Sequence, residues 1–249
     1  MDDDREVFVK IRPGAPDGFF ATEVAGLDWL GAADGGPPLP AALGYDADLL
    51  VLPWLAEERP GDDAVERLGR ELAALHSAGS PVFGAKRDGS IGAAALENGP
   101  LDGWPEFYAT RRVLPYVRQL RDGGRMTAGE AAVFERLAAR LPEIAGPAEP
   151  PARIHGDLWS GNVLWSGGRG CLVDPAAHGG HRETDLAMLT LFGESWVPRL
   201  LAAYEEVAAP ADGWQDRRRL HQVHPLLVHA VLFGGPYLGG AVAAAEAYL

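Results

Sequence analysis

Three polar side chains crowd into the stretch RIHGDLWSGNVLW, residues 153–165: His155, Asp157 and Asn162, with a further carboxylate, Asp174, not far beyond. An aspartate in such a loop can take the proton of a hydroxyl. An amide oxygen and a second carboxylate can hold a hard cation, which prefers oxygen ligands. The runs NVLW and CLVD, joined by the turn-rich SGGRG, read as a hairpin. That hairpin would bring Asn162, entering its first strand, beside Asp174 at the end of its second.

The spacing H-x-D-x-x-x-x-N followed by Asp matches the catalytic loop of kinases. There the first Asp orients or deprotonates the acceptor hydroxyl, while the Asn and the second Asp hold magnesium against the phosphates. Lys10 and Glu23 supply the remaining pair of that machinery, an ammonium for the nucleotide phosphates and a carboxylate that fixes it. Glu23 lies one turn before Leu27 on an apolar stripe, where an unpaired carboxylate is costly, so either it sits at the stripe's edge in water or it forms an ion pair with Lys10 on the preceding strand.

The elements that must position these groups follow from periodicity. EVFVKI (residues 6–11) alternates like a strand, and FFATEVAGLDWLGAA places Phe20, Val24, Leu27 and Leu30 at helical spacing, with Asp17 as cap. DLLVLPWL is a second strand that Pro53 ends. DDAVERLGRELAALHSA, capped by Asp62 or Asp63, carries the stripe Val65, Leu68, Leu72 and Leu75 and opens a mostly helical region. Residues 80–101 read as loop, and residues 104–120 and 128–141 as helices, the former broken or kinked at Pro115. Helical patterns resume from about Glu183, interrupted at APADG and FGGPYLGG. The fold class expected is α+β, a bilobal protein-kinase-like fold with a small antiparallel sheet lobe over residues 1–56 and a large, mainly helical lobe over residues 57–249.

Composition narrows the partners. The chain has 249 residues, 47% of them hydrophobic, enough for a sizeable core, and a formal net charge of -13. That charge opposes nucleic acid and anionic lipid. No leader or membrane-spanning run is read, and Cys171, as the single cysteine, permits no internal disulfide, so a reducing cytoplasm is the expected setting. His178, His181, His221, His224 and His229 lack the cysteines or dense carboxylates that would complete a tetrahedral metal set, and are read as packing or substrate contacts.

The segments HGDLWSGNV, DPAAHGGHRETDLAM, FGAKRDGSIG, WPEFYATRR and HPLLVHAVLFGGPYLGG resemble the fructosamine kinases, or ketosamine-3-kinases, within the aminoglycoside phosphotransferase-like kinases. The resemblance implies ATP- and Mg2+-dependent phosphorylation of the sugar 3-hydroxyl of ketosamines, free or protein-bound, a deglycation repair step. Carried onto this chain, it implies Asp157 as catalytic residue, Asn162 and Asp174 as magnesium ligands, and Lys10 with Glu23 at the phosphates. The carbonyl of Pro53 and the N–H of Leu55 would meet adenine. Trp159 would cover the sugar. His181, Glu183 and Asp185 would support the magnesium loop or substrate cleft, and Trp104, Phe107 and Arg112 would line the acceptor side or else pack the interior. Members of the family place two strands and a nucleotide-covering turn before the lysine strand, where this sequence has only MDDDREVFV. A small lobe without that glycine turn, an exposed sheet edge and weak ATP binding are therefore expected. An aminoglycoside-type phosphotransferase and a catalytically impaired binding protein are the alternatives.

Overall fold

The computed structural model describes residues 6–249. Residues 1–5, read above as part of a turn feeding the lysine strand, lie outside the described residues. Strand β1 (Val7–Ile11) leads through a short turn into helix α1 (Phe19–Gly31), and β2 (Gly44–Tyr45) and β3 (Leu49–Pro53) complete a three-stranded sheet of order β1-β3-β2. Leu50 and Leu52 of β3 pack on Phe20, Val24 and Leu27 of α1, the apolar stripe expected from spacing. Lys10 pairs in register with Leu50. Directly opposed residues of an antiparallel pair share a face, so Lys10 is aimed at α1. The other face of β1 is open: Val7, Val9 and Ile11 are 43%, 41% and 69% exposed.

Helix α2 (Asp62–Ser77) begins the helical region, and its predicted stripe of Val65, Leu68, Leu72 and Leu75 is buried. The caps differ from expectation. Gly18, left-handed at φ 76°, precedes α1 instead of Asp17, and Gly61 precedes α2. Asp62 and Asp63 lie in the first turn of α2, where carboxylates favour the helix dipole. Residues 80–101 are not all loop, for β4 (Gly89–Ile91) and β5 (Ala94–Leu96) form a hairpin. The helix expected over residues 104–120 is three pieces: α3 (Trp104–Phe107), a π-helical stretch (Tyr108–Val113) and α4 (Leu114–Asp122). Pro115 sits in the first turn of α4, where its missing N–H is not needed, so the π-helical stretch interrupts the helix before proline does.

Helix α5 (Ala128–Ile144) is followed by β6 (Ala152–Ile154), the hairpin strands β7 (Val163–Ser166) and β8 (Arg169–Leu172), and β9 (His178–Gly180), which pairs back onto β6. The chain closes with α6 (Arg182–Leu189), α7 (Val197–Ala208), α8 (Trp214–Phe233) and α9 (Tyr237–Glu246). One apolar core joins α2, α7 and the β7–β8 hairpin; another joins α3 to α5 with α8 and α9. Among the described residues no helix is long and apolar enough to cross a membrane.

Candidate active site

The loop between β6 and β7 is held from beneath by one carboxylate. Asp185, fully buried on α6, accepts from the backbone N–H of His155 at 2.7 Å and of Gly156 at 2.9 Å, and its Oδ2 lies 3.2 Å from His76 Nε2. His76 in turn meets Tyr204 Oη at 2.9 Å through Nδ1. Burial pushes the Asp185 carboxyl up, but His76, His155 and the Gly156 N–H outweigh it and hold the group below its usual value. Gly156 adopts φ 81°, and a Cβ there would lie 2.3 Å from Ala176 O, so no side chain fits where the loop crosses the segment after β8.

Asp185→Ala is expected to leave two backbone donors and His76 without their partner in a dry interior. Removing one member of such a network costs about 3–5 kcal/mol, roughly 10 °C in melting temperature for a chain of this size. A thermal melt checks it.

His155 links the loop to the hairpin. Asp157 N donates to its Nδ1 at 3.3 Å, which requires the proton on Nε2, and Nε2 donates to Val173 O at 2.9 Å. Val173 N donates to Asn162 O at 3.0 Å, tying the entry of β7 to the exit of β8. β8 stops at Leu172, so Asp174 lies two residues past the strand rather than at its end, in a left-handed conformation at φ 56°. Asn162 Nδ2 donates to Asp157 O at 2.8 Å and approaches Asp157 Oδ2 at 3.2 Å, which turns the amide oxygen away from Asp157. Burial pushes the Asp157 carboxyl up to about 7, with the charges of Asp174 and Asp185 adding to it and the Asn162 hydrogen bond pulling the other way. A carboxylate poised there is suited to accepting a proton near neutral pH.

Lys10 Nζ donates to Glu23 Oε1 at 2.6 Å and also pairs with Asp174. Burial works against the Lys10 charge, but the two carboxylates outweigh it and raise its pKa. Lys10, Glu23, Asp157, Trp159, Asn162 and Asp174 thus line one cavity of about 430 Å3, walled further by residues of α1 and the β4–β5 hairpin. Trp159 is 36% exposed and meets Phe192 edge-on at 5.6 Å. Its ring lies over Gly161, where a Cβ would come within 2.2 Å of it.

Other predicted residues lie elsewhere. Pro53 closes β3 and Leu55 follows in the connector, both half-buried and neither lining this cavity. Glu183 is buried and paired with Arg217 at 2.6 Å, and His181, Glu183 and His221 bring ligand atoms within 4.8 Å of one another. The Arg217 guanidinium already answers the Glu183 charge, and none of the three lines the cavity. Trp104 and Arg112 do not line the cavity. Trp104 is 5% exposed and packs in one aromatic cluster with Tyr108 and His221, and Arg112 is buried against Phe107. For these two, and for Phe107, interior packing replaces the acceptor-lining reading. His76, Arg217 and Asn98 escaped the sequence reading; their partners are distant in the chain and no local spacing marks them.

The profile of the fructosamine kinase family matches residues 1–249. A probable ketoamine kinase of Synechocystis sp. is 35% identical over 243 residues, covering 95% of this chain and 81% of that protein. The crystal structure of a candidate fructosamine-3-kinase from Thermobifida fusca superimposes with a TM-score of 0.93 at 49% identity, over 98% of this chain and 85% of that one. An aminoglycoside phosphotransferase in a ternary complex with streptomycin and ATP shares the fold, with a TM-score of 0.65 at 14% identity over 100% of this chain and 92% of that one.

Proposed function

This chain belongs to the fructosamine kinase family, and on that footing we propose that it transfers the γ-phosphoryl group of ATP to the 3-hydroxyl of ketosamines such as fructosamine and ribulosamine adducts. The observation that carries the reading is the convergence of Lys10, Glu23, Asp157, Asn162 and Asp174 on one cavity from separate parts of the chain. The acceptor hydroxyl gives its proton to Asp157 as its oxygen attacks the γ-phosphorus. The bond from that phosphorus to the β–γ bridging oxygen breaks, and ADP leaves.

Lys10, steered by Glu23, binds phosphate oxygens. Its contact with Asp174 must be exchanged for one with phosphate when nucleotide enters. Asn162 and Asp174 would hold magnesium, a pairing their chemistry suits: Asn162 commits its NH2 to Asp157 and keeps its oxygen for a cation, and Asp174 adds a carboxylate. Bound there, the ion would neutralise charge on the phosphates. The base would meet Pro53 O and Leu55 N, at the boundary between a sheet lobe ending at residue 56 and the helical lobe. Trp159 would cover the sugar face.

The position of transfer tests the reading. After incubation with MgATP and fructoselysine, NMR of the product is expected to show a phosphomonoester coupled to the proton on sugar carbon 3. A phosphate on any other oxygen, or ATP hydrolysis alone, would refute it.

A further inference from the structure

Asn98, between β5 and α3, is only 2% exposed and yet lines the same cavity as Asp157. Three of its polar groups are held by neighbours. Its backbone N–H donates to Asp88 Oδ1 at 2.7 Å, its carbonyl accepts from Ala85 N at 2.9 Å, and its side-chain Oδ1 accepts from Arg112 Nη2 at 2.6 Å. A guanidinium can only donate, so the amide cannot be turned over. Nδ2 must face away from Arg112, and among the described residues no hydrogen-bond partner meets it.

Arg112 is itself fixed. Its Nη1 donates to Glu97 O at 2.5 Å, and its guanidinium lies 4.5 Å from the centre of the Phe107 ring. Keeping a cation in the interior is costly unless its hydrogen bonds are well made. Here both Nη atoms are bonded while Nε has no partner among the described residues, and the cation holds one amide at a fixed angle, its NH2 turned toward Gly89 on the cavity wall.

We propose that Asn98 Nδ2 donates a hydrogen bond to a sugar oxygen of the ketosamine acceptor, and that Arg112 is the residue that positions it. The inference rests on the kinase reading of this cavity. Acceptor, not nucleotide, is the fitting partner for two reasons. The base end of the nucleotide is assigned to Pro53 and Leu55, which do not line this cavity, and the phosphates to Lys10 and the magnesium ligands. The remaining wall carries the neutral polar groups Ser90, Thr22 and Asn98 beside Phe19, Phe20 and Ile91, with one cation, Arg12, laid over the Phe19 ring, a mixture matched to a polyhydroxylated chain rather than to a further anion-binding cluster.

Steady-state kinetics on the full chain with MgATP and fructoselysine test this. Asn98→Asp keeps the shape and the acceptor for Arg112 but presents lone pairs where the donor was. Its KM for fructoselysine is expected to rise at least about 10-fold, with KM for ATP unchanged, because the sugar oxygen loses its donor and a hydroxyl can pair with the new carboxylate only by turning its proton away from its own partner. Arg112→Lys, which frees the amide to turn, is expected to raise the fructoselysine KM alone; equal rises for both substrates would indicate general loss of structure and count against positioning. An active Asn98→Asp variant with unchanged fructoselysine KM would overturn the assignment. Absence of ketosamine turnover by the unsubstituted chain would instead refute the kinase reading, and the assignment with it. If melting shows that the aspartate variant is unfolded, Asn98→Ser removes Nδ2 without adding charge and decides by the same two constants.

Discussion

Asp157→Asn is expected to lower kcat for ketosamine phosphorylation by about 10^3-fold, within the range that loss of a general base gives, while KM for ATP stays within a few-fold. The substitution keeps the shape and the oxygen facing Asn162 but removes the proton acceptor. The residues proposed to bind nucleotide and its magnesium, Lys10, Asn162 and Asp174, stay in place. The carboxyl of Asp157 is held at about 7, chiefly because burial disfavours its charge. Replacing it with a neutral amide should therefore leave the melting temperature equal or higher, so the loss of turnover cannot be ascribed to unfolding. Initial rates and a thermal melt on the same preparation check both halves. A variant retaining a tenth or more of kcat would remove Asp157 from the chemistry.

The second large effect is loss of the fold in mild acid. His155, His178, His181, His221 and His224 are all 3% exposed or less. Burial, the first cause in each case, lowers all five pKa values, and the Arg112 cation adds to this for His178 and His224. His178 and His181 come down to about 3. The sign follows from linkage. These groups are neutral in the fold and titrate near 6.5 when unfolded, so below about pH 6.5 the unfolded chain binds protons that the fold refuses. Stability is complete above that value and falls as pH drops toward the folded values. Each such histidine contributes up to about 1.4 kcal/mol per pH unit until its folded value is reached, so His178 and His181 alone would remove about 6 kcal/mol by pH 4 from a typical stability of about 5–15 kcal/mol, and the other three act in the same direction. Circular dichroism against pH should show unfolding complete by about pH 4. A chain still folded there would contradict the burial of these rings.

The parts of the site that periodicity could reach were those carried by one regular element each. Lys10 followed from strand alternation and Glu23 from a helical stripe, and the structure brings their side chains to 2.6 Å. The β7–β8 hairpin was legible because two apolar runs flank a glycine turn. Strands β6 and β9 were not, since each has three residues and their pairing joins Ile154 to His178 across the whole hairpin. The same holds for β4 and β5, which have three residues each and only one large side chain apiece, Ile91 and Leu96. Asp17 looks like a cap by type, but the chain enters α1 through a left-handed Gly18 that no spacing announces. Trp104 and Arg112 belonged to recognisable segments, yet which way they face is decided by His221, Phe107 and Asn98, residues distant in the chain or silent in its local pattern.

The most direct test of the central claim is ADP release from MgATP with ribuloselysine, fructoselysine and kanamycin as separate acceptors, with Asp157→Asn as the blank. Turnover on at least one ketosamine that disappears in the blank, and none on kanamycin, is the expected result. Release driven by kanamycin alone, or ketosamine-dependent release that persists in the blank, would contradict it.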